Sequence, residues 1–171
     1  LPGEPVSCVL VGFGAATAPL IRLAEDLMAR GCSVTFLMLG PQSGYGVVEA
    51  RRHSSHLVDA TGTDSDWGGV LRQAVAEADV LYSAGPAESL REVVTAVQGR
   101  AIVHQAAVAL DLVCGSGTCT ACAIPIHGRD GITRMVRACA EGPVFNADLV
   151  RWADLGTVPG DCLGSTHGAV R

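Results

Sequence analysis

Short apolar runs alternate with amphipathic segments along the first 107 residues, and this alternation constrains the fold more than any other feature. The apolar runs predict strands at residues 5–12, 32–39, 54–61, 79–85 and 100–107. Apolar residues at helical spacing predict helices at residues 17–31, 66–78 and 86–99. Strands that are apolar throughout are typical of a parallel sheet covered on both faces. The pattern therefore predicts an α/β fold with a three-layer parallel sheet of about five strands.

The composition fits such a sheet and excludes several classes of function. Hydrophobic residues make up 49% of the 171 residues and aromatic residues only 4%, so the core must be aliphatic. A formal net charge of −5 supplies no basic surface for nucleic acid. No apolar run reaches the roughly 18 residues of a membrane span. The N-terminus has no basic region before its first apolar run, so we expect that it is not a signal peptide, and the odd number of cysteines, three of them crowded into one loop, predicts a reducing, cytoplasmic protein.

A glycine-rich loop at residues 113–128, VCGSGTCTACAIPIHG, interrupts the apolar pattern. Its cysteines have C-x4-C-x2-C spacing, which is the plant-type pattern for a [2Fe–2S] cluster: Cys114, Cys119 and Cys122. The glycines between them can adopt positive φ and turn backbone N–H groups towards the sulfurs, where they stabilise negative charge. A fourth ligand must come from elsewhere, and Cys139 lies at the end of a predicted hairpin that would fold back over the loop.

Spacing alone leaves two alternatives to an iron–sulfur cluster. A structural zinc site also uses four cysteines, but usually as two short-spaced pairs, and this segment has one C-x-x-C. Unliganded thiols are usually buried in apolar elements rather than placed in a glycine loop. The seven cysteines are odd in number and three crowd into this loop, which argues against a secreted disulfide framework.

The residues after 107 predict a small module of different character. Two short apolar runs around Asp130-Gly131 predict a β-hairpin over residues 123–138. The following segment ends in a predicted short helix, and the glycine-rich tail is expected to be partly disordered. We therefore divide the chain into an α/β domain at 1–107, a cluster domain at 108–155 and a tail at 156–171.

Three residues on the predicted strands are assigned to the core. Cys8 and Cys32 lie in apolar strands and are predicted to be buried thiols. His104 lies on the fifth strand and is predicted to be a core histidine with a hydrogen-bond partner rather than a metal ligand.

The segment 113–152 resembles the C-terminal [2Fe–2S] domain of the dihydroorotate dehydrogenase electron-transfer subunit. That family has a C-G-x-G-x-C-x-x-C loop, a hairpin and a V-C-x-x-G-P-V-F segment, which stands here as RACAEGPVF. The resemblance extends to the preceding domain, which is similar to the pyridine-nucleotide domain of ferredoxin reductases. The resemblance gives no ligand role to Cys162, which lies in the tail. It implies four metal ligands: Cys114, Cys119, Cys122 and Cys139.

The function that the resemblance implies is that of an electron-transfer component of an oxidoreductase. Such a subunit relays electrons between a flavin or NAD(H) and a partner oxidoreductase, here in pyrimidine biosynthesis. Substrate oxidation takes place in a separate FMN-containing subunit, so we assign no catalytic residue to this chain. The alternative is a non-catalytic cluster-binding regulatory or assembly subunit that has lost NAD and FAD binding.

The nucleotide-binding motifs of the family are altered in this chain. The family's G-G-G-x-G-x-A-P loop stands as GFGAATAP at residues 12–19, in which Phe13 and Ala16 replace glycines. The family's C-G-P motif stands as AGP, with Ala84 at the cysteine position. These departures predict weak NAD(H) binding or none. The resemblance carries nucleotide-binding roles to six positions: Gly12, Gly14, Ala16, Pro19, Gly85 and Pro86.

The flavin-binding half of ferredoxin reductases has no counterpart in the sequence. No barrel-like set of strands precedes Val6, and Tyr82-Ser83 lacks the arginine of the family's R-x-Y-S/T motif. Either the barrel has been removed or the protein has none. The first residues, LPGEP, are typical of a linker, and we expect the C-terminal part of a longer protein. FAD is then expected only from a missing domain or from a flavin-containing partner subunit, and the chain is expected to work in a complex.

Overall fold

The computed structural model describes residues 1–40, 46–62 and 67–164. The strands are β1 (Ser7–Phe13), β2 (Ser33–Gly40), β3 (His56–Thr61), β4 (Val80–Pro86), β5 (Val103–Ala109), β6 (Ala123–His127), β7 (Thr133–Arg137) and β8 (Val144–Asn146). The α-helices are α1 (Ala18–Ala29), α2 (Val47–Arg52), α3 (Trp67–Ala74), α4 (Ala87–Val97) and α5 (Ala138–Glu141). Single 3-10 turns lie at Gly14–Thr17, Val75–Glu77, Ala147–Leu149 and Trp152–Asp154.

One sheet with the strand order β3-β2-β1-β4-β5-β8 forms the body of the protein. Its first five strands in chain order pair in parallel, which confirms the predicted α/β sheet. Strand β1 lies at the centre, with Cys8 opposite Val34 of β2 and Val80 of β4. Strands β2 and β3 follow on one side of β1, and strands β4 and β5 follow on the other. The carboxyl ends of β1 and β4 therefore flank a topological switch point.

Apolar side chains fill the space on both faces of the sheet. On one face, Leu10 and Phe36 pack with Leu27 of α1. On the other face, Val11 packs with Leu71 of α3 and with residues of α4. Successive residues of a strand point to opposite faces, so a strand that is buried on both faces must be apolar throughout. The three-layer arrangement is the one that the sequence predicted.

The cysteine module contributes the sixth strand of the sheet, β8. It pairs antiparallel with β5, with Phe145 opposite Ala106, and the Val108 N–H donates to the Pro143 carbonyl at 3.0 Å. The module also buries Trp152 in a cluster that includes residues of α4 and β5. Residues on both sides of the predicted boundary at 107 thus share one sheet and one core.

The described part of the tail, residues 156–164, contacts the predicted hairpin, which is formed by β6 and β7. Cys162 is buried and forms an isolated bridge with Thr133. The Leu163 N–H donates to the Thr133 carbonyl at 2.8 Å, and the Arg151 guanidinium donates to Asp161 at 2.5 and 2.6 Å. These contacts hold this part of the tail against the hairpin, where the sequence predicted partial disorder. The remainder of the tail, 165–171, lies outside the described residues.

A buried polar pair joins β4 to β5. The Ser83 hydroxyl lies 2.7 Å from Nε2 of His104, and the two residues are 1% and 2% exposed. Burial lowers the pKa of His104 to about 4, so the imidazole is neutral in the folded protein at neutral pH. His104 is the hydrogen-bonded core histidine that the sequence predicted.

Because of His104, we expect the free energy of unfolding to fall as the pH drops from 7.5 to 4.5. The unfolded chain takes up a proton at His104 near pH 6.5, whereas the folded chain does so only near pH 4. Acid therefore favours the unfolded state, by about 2 kcal/mol over this interval. Urea denaturation of the wild type and of His104→Gln at both pH values measures the effect. The glutamine variant should lose less stability on acidification, and equal losses would contradict the assignment.

Candidate iron–sulfur site

The cysteine loop leaves the carboxyl end of β5 and enters β6. Gly115 and Gly117 have φ values of 67° and 80°, which confirms the positive φ predicted for them. Thr120 also has a positive φ, of 58°. Left-handed backbone at these three positions curls the loop tightly and turns several of its N–H groups inwards.

Two of those N–H groups point at the sulfur of Cys114. The amides of Ser116 and Cys119 donate to the Cys114 Sγ at 3.4 and 3.5 Å. The hydrogen bond from Cys119 and then that from Ser116 lower the pKa of Cys114 to about 5. Both hydrogen bonds therefore favour the thiolate form of Cys114, which is the form that binds metals.

The hairpin brings Cys122 and Cys139 together from distant parts of the sequence. Cys122 lies just before β6, and Cys139 lies in α5, just after β7. Pairing of Ala123 with Arg137 sets the two cysteines side by side at the open end of the hairpin. The Cys139 backbone N–H lowers the pKa of the Cys122 thiol, and the hydrogen bond between the two thiols raises the pKa of Cys139.

Arg137 connects the loop to the end of the hairpin. Its guanidinium donates to the Gly117 carbonyl at 3.3 Å and to the Glu141 carboxylate at 3.1 Å. The loop and α5 are in close contact here, since a Cβ added to Gly117 would lie 3.2 Å from the Cβ of Ala140. Position 117 therefore requires glycine both for its backbone conformation and for space. The sequence analysis missed Arg137, because an arginine near a cysteine carries no signal of this role.

The four cysteines fall into two pairs. In the first, the backbone N–H of Cys119 donates to the Cys114 Sγ at 3.5 Å. In the second, Cys122 and Cys139 lie at the open end of the hairpin, where each alters the pKa of the other. In the described part of the chain, no three His, Cys, Asp or Glu side chains surround one point as ligands of a single metal ion. A [2Fe–2S] cluster has two ligands on each of two irons, so its ligands are spread over a wider site than those of a single ion. Two thiol pairs with amide donors to sulfur fit this cluster.

The residues predicted to bind a nucleotide lie together at the carboxyl edge of the sheet. Gly12 of β1 lies opposite Ala84 of β4, so the loop that follows β1 is adjacent to the end of β4. Gly14 has a positive φ of 54°, and proline stands in the first turn of α1. The structure thus brings together all six residues: Gly12, Gly14, Ala16, Pro19, Gly85 and Pro86.

Two side chains, Phe13 and Thr17, fill space at this edge. The last residue of β1 is Phe13, and its ring lies against Gly85. The Thr17 hydroxyl, at the start of α1, is buried beside Gly12 without a hydrogen-bond partner among the described residues. Sequence comparison showed that Phe13 replaces a glycine, but only the structure shows which space its ring fills.

Comparisons with known proteins place the cysteine segment in a family. Residues 111–151 match the model of the iron–sulfur cluster binding domain of dihydroorotate dehydrogenase B. The electron transfer subunit of dihydroorotate dehydrogenase B (NAD(+)) from Listeria welshimeri is 29% identical over 155 residues, which cover 86% of this chain and 59% of that protein. The corresponding subunit from Bacillus velezensis is 31% identical over 156 residues, covering 87% and 58%. The chain thus spans less than two thirds of the length of these relatives.

Two solved structures are similar in fold. A chain of an NADH-dependent reduced ferredoxin-NADP oxidoreductase, solved to study flavin-based electron bifurcation, matches with a TM-score of 0.70 at 22% identity, covering 89% of this chain and 56% of that one. The C-terminal domain of a hydrogenase from Pyrococcus furiosus matches with a TM-score of 0.52 at 14% identity, covering 62% and 95%. The family model and the curated relatives show that this chain is similar to the electron-transfer subunits of dihydroorotate dehydrogenase B, with residues 111–151 matching that family's iron–sulfur cluster binding domain, and the two solved structures support the fold alone.

Proposed function

We propose that this chain holds one [2Fe–2S] cluster and relays electrons between a flavin and a partner oxidoreductase. The observation that carries the proposal is the placement of the four cysteines as two pairs where the loop meets the hairpin, with two backbone N–H groups directed at the sulfur of Cys114. The cluster supplies one-electron transfer when it is bound. The proposed ligands are Cys114, Cys119, Cys122 and Cys139.

The two thiol pairs suggest how the ligands are shared between the irons. Cys114 and Cys119 hold one iron, and Cys122 and Cys139 hold the other. Amide donors to Cys114 keep its sulfur ionised and stabilise added negative charge at that end of the site. Arg137 links the loop to α5, because its guanidinium donates both to the Gly117 carbonyl and to the Glu141 carboxylate.

A flavin-bearing partner completes this function. Hydride from a nicotinamide delivers two electrons, and a flavin can release them singly to a one-electron acceptor. The flavin belongs to a separate subunit or to a further domain of the same protein. All seven cysteines are free, which supports a reducing compartment such as the cytoplasm. Across residues 1–40, 46–62 and 67–164, no helix combines the length and apolar character needed to cross a bilayer.

A cluster-binding regulatory or assembly subunit is the second candidate function. The ring of Phe13 at the nucleotide edge favours it, because a subunit that has lost nucleotide binding has no need of an open edge. The two candidates differ in redox behaviour. A relay must reduce and reoxidise its cluster repeatedly with a flavoprotein as the donor, whereas an assembly subunit must release its cluster to an apoprotein.

We expect Cys139→Ser to abolish or strongly reduce cluster binding. The substitution removes one ligand of the Cys122–Cys139 pair, whereas Cys162→Ser, the matched control, changes a buried cysteine that contacts the hairpin outside the loop. Iron content and visible absorption of anaerobically purified protein measure the difference. The Cys162→Ser protein should match the wild type. Equal iron contents in the two variants would show that Cys139 is not a ligand.

Gly117→Ala should also lower cluster content. The added methyl group would lie too close to Ala140. The alanine would also have to adopt a φ of 80°, which is strained for any residue with a Cβ. Gly131→Ala is the control, because Gly131 has nearly the same φ, of 79°, and open space around its Cβ position. Both changes should cost about 1 kcal/mol of stability, but only the change at Gly117 should reduce iron per chain. Loss of iron in both variants would contradict this prediction, because it would show that cluster content does not depend on the packing of the loop on α5.

A further inference from the structure

The ring of Phe13 covers the carboxyl edge of the sheet at its switch point. Phe13 ends β1, is 8% exposed and packs in the core cluster that lies between the sheet and helices α3 and α4. The switch point, between the ends of β1 and β4, is where open α/β sheets bind their ligands. The side chain of Phe13 therefore lies next to the position at which such sheets have a ligand-binding crevice.

Three neighbours hold the ring in place. A Cβ added to Gly85, at the end of β4, would lie 2.7 Å from the Phe13 Cδ2, so the ring touches the backbone there. A Cβ added to Gly40, which ends β2, would lie 3.5 Å from the Phe13 Cδ1. The ring of Trp67, which begins α3, meets Phe13 edge to face at 5.9 Å between centroids. The phenyl ring thus reaches the ends of both strands that flank β1.

The loop that follows β1 packs closely against the end of the strand. A pyrophosphate is held when glycine backbone approaches it closely and N–H groups at a helix start point towards it. At the start of α1, the Thr17 hydroxyl lies 2.5 Å from the position of a Cβ on Gly12, so the side chain of Thr17 packs directly against the backbone of Gly12. The Phe13 ring and the Thr17 side chain therefore fill the space beside the backbone of Gly85 and Gly12 at this edge.

We propose that Phe13 excludes pyridine dinucleotides from this chain and is the residue that determines this exclusion. The chain then receives its electrons from a partner protein rather than from NADH bound at its own sheet. The inference concerns the carboxyl edge of the sheet and does not depend on the cysteine ligands, so loss of the cluster proposal would leave it standing.

Calorimetric titration of the anaerobically purified chain with NADH tests the proposal. The wild type should show no saturation up to about 1 mM NADH, which corresponds to a binding free energy weaker than about −4 kcal/mol. Phe13→Gly and Phe13→Ala remove the ring and should bind NADH at least tenfold more tightly than the wild type. Phe13→Leu keeps an apolar side chain of comparable volume and should behave as the wild type does.

The series remains decisive if the glycine variant does not fold. Comparison of Phe13→Ala with Phe13→Leu still varies side-chain volume at one position, and thermal melts identify which variants are folded. Saturation of the wild type by micromolar NADH would overturn the proposal. Folded alanine or glycine variants that bind NADH no better than Phe13→Leu would overturn it as well, because the ring would then not be the obstacle.

Discussion

The antiparallel pairing of β8 with β5 determines where the cysteines stand. The chain leaves the sheet at Ala109, builds the loop, the hairpin and α5, and returns at Val144 beside the strand that it left. Closing both ends of this excursion on adjacent strands fixes its base, and the hydrogen bond from Val108 to Pro143 lies at that base. The four cysteines proposed as ligands thereby project from the carboxyl edge of the sheet rather than from a free arm. A module held in this way can keep two thiol pairs in place before any metal is bound, which reduces the ordering cost of binding.

Burial explains how far the sequence could predict the fold. The parallel strands were predictable because both of their faces are buried, so their residues are apolar without interruption. Strand β8 was missed because Val144–Asn146 is too short for any periodic pattern. Helix α2 was missed because Val47–Arg52 is a short, strongly charged segment that buries only Ala50. The strand predicted at 100–107 forms at Val103–Ala109, since the residues after Gly99 first complete the turn from α4.

The candidate site was predictable from spacing but its internal geometry was not. Cysteines separated by small residues indicate a cluster loop, and positive φ at Gly115 and Gly117 follows from the same need for a tight curl. The grouping of thiols depends on the register of β6 with β7, and the sequence does not determine that register. The same limit applies at the nucleotide edge. A phenylalanine in place of a glycine is visible in the sequence, but the contact of its ring with Gly85 depends on how β1 and β4 pair.

The central claim is that the loop and the hairpin together form a site for two irons. Iron and acid-labile sulfide determination on the anaerobically purified chain, combined with electron paramagnetic resonance after dithionite reduction, tests it most directly. The account predicts about two irons and two sulfides per chain and one unpaired electron per chain in the reduced state, as a [2Fe–2S] centre requires. Bound zinc without sulfide, or iron without sulfide and with one metal ion per chain, would contradict it.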